Sequence, residues 1–291
     1  MKITGFTFVR NAIKLDYPVT ESIRSLLPLC DRVIVAVGKS EDGTLDLIRN
    51  MNEEKIQIIE TVWNESLKKG GKVLADETNK AFRAVPDDSD WAFYLQADEV
   101  VHESYLDTIF SEMQKNIHNK SIDGLLFNYL HFYGSYKYIG DSYRWYRREI
   151  RVIRNNKNIY SYKDAQGFRK NNNKKLKVKL IDAYIHHYGW VRKPRAMQEK
   201  QKTFNHYWHN DKWLSANIIK ADEFDYSNVD ALRLYEGSHP SVMSERIARQ
   251  SWDFIFDTSQ KSYSVKEKIK RTIEKFTGWR IGEYKNYKSI S

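Results

Sequence analysis

Cysteine is nearly absent from this 291-residue chain. Cys30 stands alone, which excludes an intrachain disulfide and a cysteine-built metal cluster. No apolar run approaches the roughly 20 residues that span a bilayer. Met1 and Lys2 lead straight into the strand-like residues 3–9, without the apolar stretch and small-residue cleavage site of a secretory signal. A cytoplasmic location is expected, with attachment to the inner face of a membrane left open. Internal repeats are missing as well. So is any recognisable nucleic-acid motif, and the basic residues are spread along the chain rather than clustered. Both absences argue against a nucleic-acid partner.

Positive charge is nonetheless in excess. Lys and Arg number 48 against 38 Asp and Glu, a formal net charge of +10. A cationic chain attracts nucleic acid, an acidic membrane or a diphosphate-bearing substrate, and charge alone does not choose among them. Aromatic residues make up 14%, with 19 Tyr and 8 Trp. Such rings stack on bases and sugar faces, and equally fill a core and its rim. The length allows one large domain or two small ones with a sizeable core.

Residues 1–100 alternate strand and helix. Residues 3–9 read as a strand and 18–27 as a helix with Pro18 near its start. Residues 32–37 form a continuous apolar run, the mark of a parallel strand buried on both faces. Asp42, Gly43 and Thr44 turn and cap into a helix at 45–51; a strand at 55–61, a helix at 72–84 and a strand at 91–95 follow. This order argues for an α/β fold with a mostly parallel sheet flanked by helices, binding its ligands beyond the carboxyl ends of the strands. The loops after Val9, Val37, Thr61 and Leu95 are therefore where chemistry is sought. Residues 123–133 and 148–154 read as longer strands of an antiparallel or mixed part of the sheet, and 171–175 as an exposed turn. Helical patterns at 196–207, 242–256 and 264–276 divide the chain into an α/β domain, 1–192, and a helical C-terminal region, 193–291.

The most informative segment runs from Trp91 to Glu99: a hydrophobic strand ending in Asp98 and Glu99, after a helix that carries Asn79. A carboxylate there sits in the crevice, where it can hold a divalent cation shared with substrate phosphates. The plainer alternative is that both acids merely open a helix, where they suit its dipole. The segment resembles the Leu-Asp-x-Asp-Glu signature of family-two glycosyltransferases with the GT-A fold. Three other segments resemble that family in the same order. Phe8-Val9-Arg10-Asn11 is similar to its first strand and Tyr-Asn loop, residues 35–44 to its Val-Asp-Asp-Gly-Ser-x-Asp-Gly-Thr, and residues 72–79 to its Gly-x-x-x-Ala-x-x-x-Asn helix. The likeness covers roughly residues 3–190 and is greatest to a subgroup carrying Tyr-Leu-Gln-Ala-Asp-Glu. There are two departures. Val37 and Gly38 stand where the family usually has an acid for the nucleobase, and Gln96 replaces the first acid of Asp-x-Asp.

The resemblance implies transfer of a sugar from a nucleotide-diphosphate sugar to an acceptor hydroxyl on a glycan or lipid-linked molecule, in glycan or lipopolysaccharide assembly. It implies inversion and help from Mn²⁺ or Mg²⁺, with Asp98 contacting the metal. Residues 185–192 resemble a late His-containing strand end that completes the metal site in relatives. Neighbouring strand residues face opposite ways, so one of His186 and His187 points inward, and His187 is favoured. Asp164 is the candidate base, in a loop where relatives carry a His-Glu or Glu-Asp pair, with Glu149 and Glu99 as rivals. Arg10, Lys72, Arg147, Arg192 and Lys193 are candidates for the diphosphate. Asn11, Val37, Asn79, Gln96 and Glu99 complete the candidate substrate contacts. A sugar-nucleotide-forming nucleotidyltransferase is set aside, because the loop Arg10-Asn11-Ala12-Ile13 lacks the glycines that cradle a triphosphate. The departures keep a non-catalytic nucleotide- or sugar-binding relative as the alternative, with a basic nucleic-acid-binding protein behind it. Residues 265–287 interleave Lys and Arg with Ile269, Ile273, Phe276, Trp279 and Ile281. They either dock on an anionic membrane or pack on the main domain.

Overall fold

Apolar runs and amphipathic stretches alternate through the first hundred residues, and each run becomes a strand. In the computed structural model, which describes residues 1–67, 69–206, 211–218, 221–259 and 261–290, these are β1 (Ile3–Val9), α1 (Val19–Leu26), β2 (Arg32–Gly38), α2 (Thr44–Arg49), β3 (Ile56–Thr61), α3 (Lys72–Arg83) and β4 (Trp91–Tyr94). The strands lie side by side as β3-β2-β1-β4, all parallel. Helices cover both faces, so β2 is buried from Val33 onward. Its side chains alternate between two cores. Val33 and Val35 meet Ile23 and Leu26 of α1, whereas Ile34 and Ala36 meet Leu74 and Phe82 of α3. At the end of β2, a Cβ on Gly38 would lie 2.2 Å from the Trp63 indole nitrogen. Only glycine lets that ring cross the strand end.

The middle of the chain adds β5 (Glu99–Val101), α4 (Leu106–Lys115), β6 (Gly124–Tyr133), β7 (Ser135–Gly140), β8 (Arg148–Arg154), β9 (Ile159–Tyr162), β10 (Gly167–Lys170), β11 (Lys174–Lys175) and the 14-residue β12 (Lys177–Trp190). β8 is antiparallel to both β4 and β6, and β12 runs parallel along the other edge of β6. β5 pairs with β12, setting Glu99 opposite His187, and β6 sets His131 opposite His187 from the other side. β9, β10 and β11 form a separate three-stranded sheet whose first turn carries Asp164.

The C-terminal region holds α5 (Pro194–Asn205), α6 (Asp211–Asn217), β13 (Leu232–Leu234), α7 (Ser244–Ala248), α8 (Val265–Thr277) and β14 (Lys288–Ile290). It is less helical than its sequence suggests. β13 joins β7 and β14 joins β12, extending the same 11-stranded sheet. The helix expected at 242–256 is confined to α7. Beyond it Trp252, Phe254 and Phe256 recur every second residue and lie against Tyr136, Tyr133 and Tyr138. That spacing of two belongs to extended chain. Tyr207, the last residue of the helix expected at 196–207, lies outside the described residues. Among the described residues no helix is long and apolar enough to cross a membrane.

Where the parallel and antiparallel parts of the sheet meet, Glu99 and Arg151 are fully buried together. Arg151 donates from Nε and Nη2 to the two carboxylate oxygens, each at 2.7 Å. Tyr129 Oη donates at 2.9 Å and the Gln96 amide at 3.0 Å to the same carboxylate. Removing one member strands the other charge in the interior, which costs about 3–5 kcal/mol. Glu99→Ala is expected to lose that much stability in urea unfolding. A loss under about 1 kcal/mol, the range of an exposed pair, would show that the pair carries no such weight.

Candidate functional site

The carboxyl ends of β1 and β4 open onto a cavity of about 800 Å³. All four loops singled out in the sequence reach its lining. The loop after Val9 gives Arg10 and Asn11, that after Val37 gives Glu41, that after Thr61 gives Trp63 and Glu65, and that after Leu95 gives Gln96, Ala97 and Asp98. His187, Asp164 and α5 residues including Lys200 and Phe204 close the remaining sides.

Asp98 is the electrostatic centre. Lys200 Nζ donates to its Oδ2 at 3.1 Å, Arg192 Nη2 lies 3.9 Å from the same oxygen, and His187 Nε2 lies 3.8 Å from Oδ1. Burial opposes ionisation of Asp98, but the cations beside it, Lys200 and then Arg192, outweigh it and hold the carboxyl well below the usual carboxylate range. Lys200 also donates to the Gly189 carbonyl at 2.8 Å. Burial lowers its ammonium to about 8.

A chain of hydrogen bonds fixes the tautomer of His187. Burial keeps His131 and His187 neutral, lowered to about 3 and about 4. The Tyr146 carbonyl, 2.8 Å from His131 Nε2, only accepts, so Nε2 carries the His131 proton. His131 Nδ1 must then accept from His187 Nδ1, 3.0 Å away. The His187 proton is thereby assigned to Nδ1, and Nε2 turns a bare lone pair toward the Asp98 carboxylate. A carboxylate and an oriented imidazole lone pair suit a divalent cation, with His131 as the partner that orients the ligand. Among the described residues no cluster of three His, Cys, Asp or Glu is placed to hold a metal. The chain offers two ligands, and phosphate and water oxygens would complete the shell. His186 faces away, 3.0 Å from Tyr235 Oη.

Asp164 lines the same cavity and makes no hydrogen bond or ion pair among the described residues. Its neighbours Lys163 and Ala165 both adopt left-handed backbone, φ +54° and +63°. Such strain in non-glycine residues collects where a side chain is held for a purpose. Gln96 Nε2 donates to the Ala165 carbonyl at 3.3 Å, and Arg151 Nη1 to the Gln166 carbonyl at 3.1 Å, tying this loop to β4 and β8.

Several expected contacts lie elsewhere. Val37 is buried in the core beneath the cavity. Lys72 and Lys193 are exposed outside it. Asn79 exchanges two hydrogen bonds with the Ser161 backbone, 3.0 and 2.7 Å, pinning α3 to β9. Arg147 is held by Glu274 and Glu283 at 2.7 Å. Arg192 is fully buried beneath the site, donating to the Leu15 carbonyl at 2.5 Å, so it acts on Asp98 rather than on the cavity. Glu99 is consumed by Arg151. Asn11 lines the cavity with left-handed backbone, φ +54°, while its side chain accepts the Glu41 amide at 2.9 Å. Nothing local marks Lys200, which lies in a stretch recognisable only as helix. Glu41, in contrast, lay inside the segment already singled out and brings an acid to the cavity three residues past Gly38.

Glu149, the other rival base, is buried with one carboxyl oxygen lacking a partner among the described residues. Burial pushes it up to about 8, so it is protonated at neutral pH and cannot take a proton. The folded chain thus binds a proton that the unfolded chain releases above about 4.5. Stability from this group is present below that value and is lost as pH rises through about 8. Glu149→Gln, neutral throughout, should gain thermal stability relative to the parent as pH rises from 5 to 8 in melting scans. A difference independent of pH would refute the buried acid form.

Compared with known proteins, the chain matches no protein-family model and no curated protein. It is similar in structure to S. aureus TarS, with 12% identity and a TM-score of 0.39, covering 76% of this chain and 41% of that one. For TarS 1–349 in complex with UDP-GlcNAc the figures are 12%, 0.42, 76% and 68%. For glucosyl-3-phosphoglycerate synthase from Mycobacterium tuberculosis in complex with Mn²⁺, UDP and phosphoglyceric acid they are 14%, 0.32, 45% and 43%. The chain thus spans less than half the length of the full TarS chain.

Proposed function

We propose that the chain is a glycosyltransferase of the GT-A type, moving a sugar from a nucleoside-diphosphate sugar to an acceptor hydroxyl with inversion. One observation carries the reading: a single cavity at the carboxyl ends of parallel strands is lined by Asp98, by His187 and Lys200, whose nitrogens lie 3.8 and 3.1 Å from its carboxylate, and by Asp164, which has no hydrogen bond or ion pair among the described residues. The acceptor is a glycan or lipid-linked molecule at the inner face of a membrane. Residues 1–192 form the catalytic domain, and 193–291 pack over it, with α5 closing the cavity.

In this mechanism Asp164 accepts the acceptor hydroxyl proton as that oxygen attacks the anomeric carbon. The bond from that carbon to the diphosphate breaks, and its electrons leave with the nucleoside diphosphate. Lys200 and Arg10 line the cavity where that charge is released. Mn²⁺ or Mg²⁺, held by Asp98 and His187, would supply further charge neutralisation there. Trp63 offers an aromatic face and Glu41 an acid for recognition of the nucleoside. Lys200 favours a second reading, a donor site that works without a divalent cation, because its ammonium already sits on Asp98.

Asp164→Asn is expected to lower kcat by about 10²–10⁴-fold with donor binding unchanged, the usual worth of a general base. Full activity in that variant would remove Asp164 from the mechanism. Thermal shift with UDP, GDP, CDP and dTDP, each with and without Mn²⁺, tests the donor site. The matching nucleotide at about 100 times its Kd adds roughly 2.7 kcal/mol. A shift that needs Mn²⁺ and disappears in Asp98→Ala supports the metal-assisted site, whereas an equal shift without Mn²⁺ selects the Lys200 reading. No shift with any nucleotide would overturn both.

A further inference from the structure

α8 is an amphipathic helix packed with its polar side inward. Its only acids, Glu267 and Glu274, both turn toward the body of the protein. Glu267 accepts the Tyr143 amide at 3.1 Å, and Glu274 accepts from Arg147 at 2.7 Å and from the Tyr143 hydroxyl. Arg271 is drawn the same way, its guanidinium 3.9 Å from the Tyr263 ring centre and ion-paired with Asp141. The apolar side is left facing outward. Ile269 is 58% exposed, Phe276 81% and Val265 75%, and Trp279, just past the left-handed Gly278 that ends the helix, is 60% exposed.

At about 100° per residue, Val265, Ile269 and Phe276 fall within about 40° of one another. Lys268 and Lys275 flank this stripe on one side and Lys266 on the other, and all three are exposed. The outer face therefore contains apolar side chains and lysines and no acid. A groove on a neighbouring protein would need acids to match it. A second copy of this chain brings the same lysines and another net charge of +10. An anionic bilayer satisfies both halves of the pattern: apolar rings enter the acyl boundary, and lysines meet phosphate headgroups. Tryptophan at one end of such a stripe suits the headgroup level. Tyr146 lines both the main cavity and a smaller one that Arg271 and Glu274 of α8 help to enclose.

We propose that the outer face of α8, from Val265 to Trp279, docks the protein on an anionic lipid surface, with Ile269, Phe276 and Trp279 entering the bilayer and Lys266, Lys268 and Lys275 meeting the headgroups. This stands on the helix alone and does not depend on the transferase reading.

Flotation of the full chain with vesicles tests it. Binding is expected to phosphatidylcholine vesicles containing phosphatidylglycerol, and at least about tenfold weaker binding to phosphatidylcholine alone. The double variant Ile269→Ser, Phe276→Ser should lose about tenfold or more, and Lys268→Gln and Lys275→Gln about fivefold each. These side chains are exposed, so melting temperatures should be unchanged; Trp279→Ser, outside the helix, provides a second apolar test. Absence of binding to the anionic vesicles would overturn the proposal. So would binding that both the double serine variant and Trp279→Ser leave intact, since charge elsewhere would then account for it. A dimer in sedimentation velocity that Phe276→Ser dissolves would also overturn it, assigning the stripe to a second copy.

Discussion

The buried pair of Glu99 and Arg151 is the constraint on which the site depends. Through the Gln96 amide, Glu99 fixes the turn that delivers Asp98 to the end of β4. Through Nη1, Arg151 grips the Gln166 carbonyl and so the loop that carries Asp164. The Arg151 guanidinium also lies 5.2 and 5.3 Å from the ring centres of Tyr94 and Tyr129. One ion pair thus aligns two loops from different parts of the sheet. Removing such a pair from water is costly, and replacement by apolar residues is often neutral or stabilising. What it supplies here is geometry: six hydrogen bonds with fixed directions join, converge on or leave the pair.

That same pair shows what the sequence could and could not disclose. Its apolar runs announced β1 to β4, because parallel strands covered on both faces must be continuously hydrophobic. The four loops at their carboxyl ends follow from that topology, and they do line the cavity. Glu99 looked like a site acid because it follows Asp98, yet alternation along β5 turns it into the core. Arg147 and Arg192 looked like phosphate ligands because arginine so often is one. Arg147 anchors α8 and Arg192 supports Asp98, roles set by residues more than ninety positions away. His131 belongs with His187 only through the register of β6 on β12, which no local pattern encodes. Trp252, Phe254 and Phe256 differ from the helix expected at 242–256 for a local reason: their spacing of two belongs to extended chain.

Charge segregation runs through the whole molecule. Two buried acids are each matched by one cation, Glu99 by Arg151 and Asp123 by Lys170 at 2.6 Å, while α8 turns both its acids inward and leaves Lys266, Lys268 and Lys275 exposed. The net charge of +10 is thus not spread evenly over the surface. Where it collects beside exposed aromatic and aliphatic groups, as on α8, it gives the surface a direction. Where it collects beneath a carboxylate, as at Arg192 and Lys200, it sets the properties of the site.

Asp98 illustrates the second case. Its negative charge is already answered by Lys200 at 3.1 Å and Arg192 at 3.9 Å. Like charges about 4 Å apart repel by roughly 4 kcal/mol at an effective dielectric near 20. A divalent cation held by Asp98 and the bare nitrogen of His187, as proposed, would have to sit beside these two cations and would be repelled by both. Arg192 is locked by the Leu15 carbonyl and cannot retreat. Lys200 is held less firmly, by one carbonyl and by Asp98 itself, on a helix that lines the cavity. Lys200 and the proposed metal would therefore be alternative counter-ions for one carboxylate. In the proposed reaction a donor diphosphate would change the balance, because its oxygens would offer the Lys200 ammonium another partner while offering a cation further ligands. The chemistry of Asp98 is in this way tied to the position of α5, and the cavity wall and the reacting centre answer to the same charge.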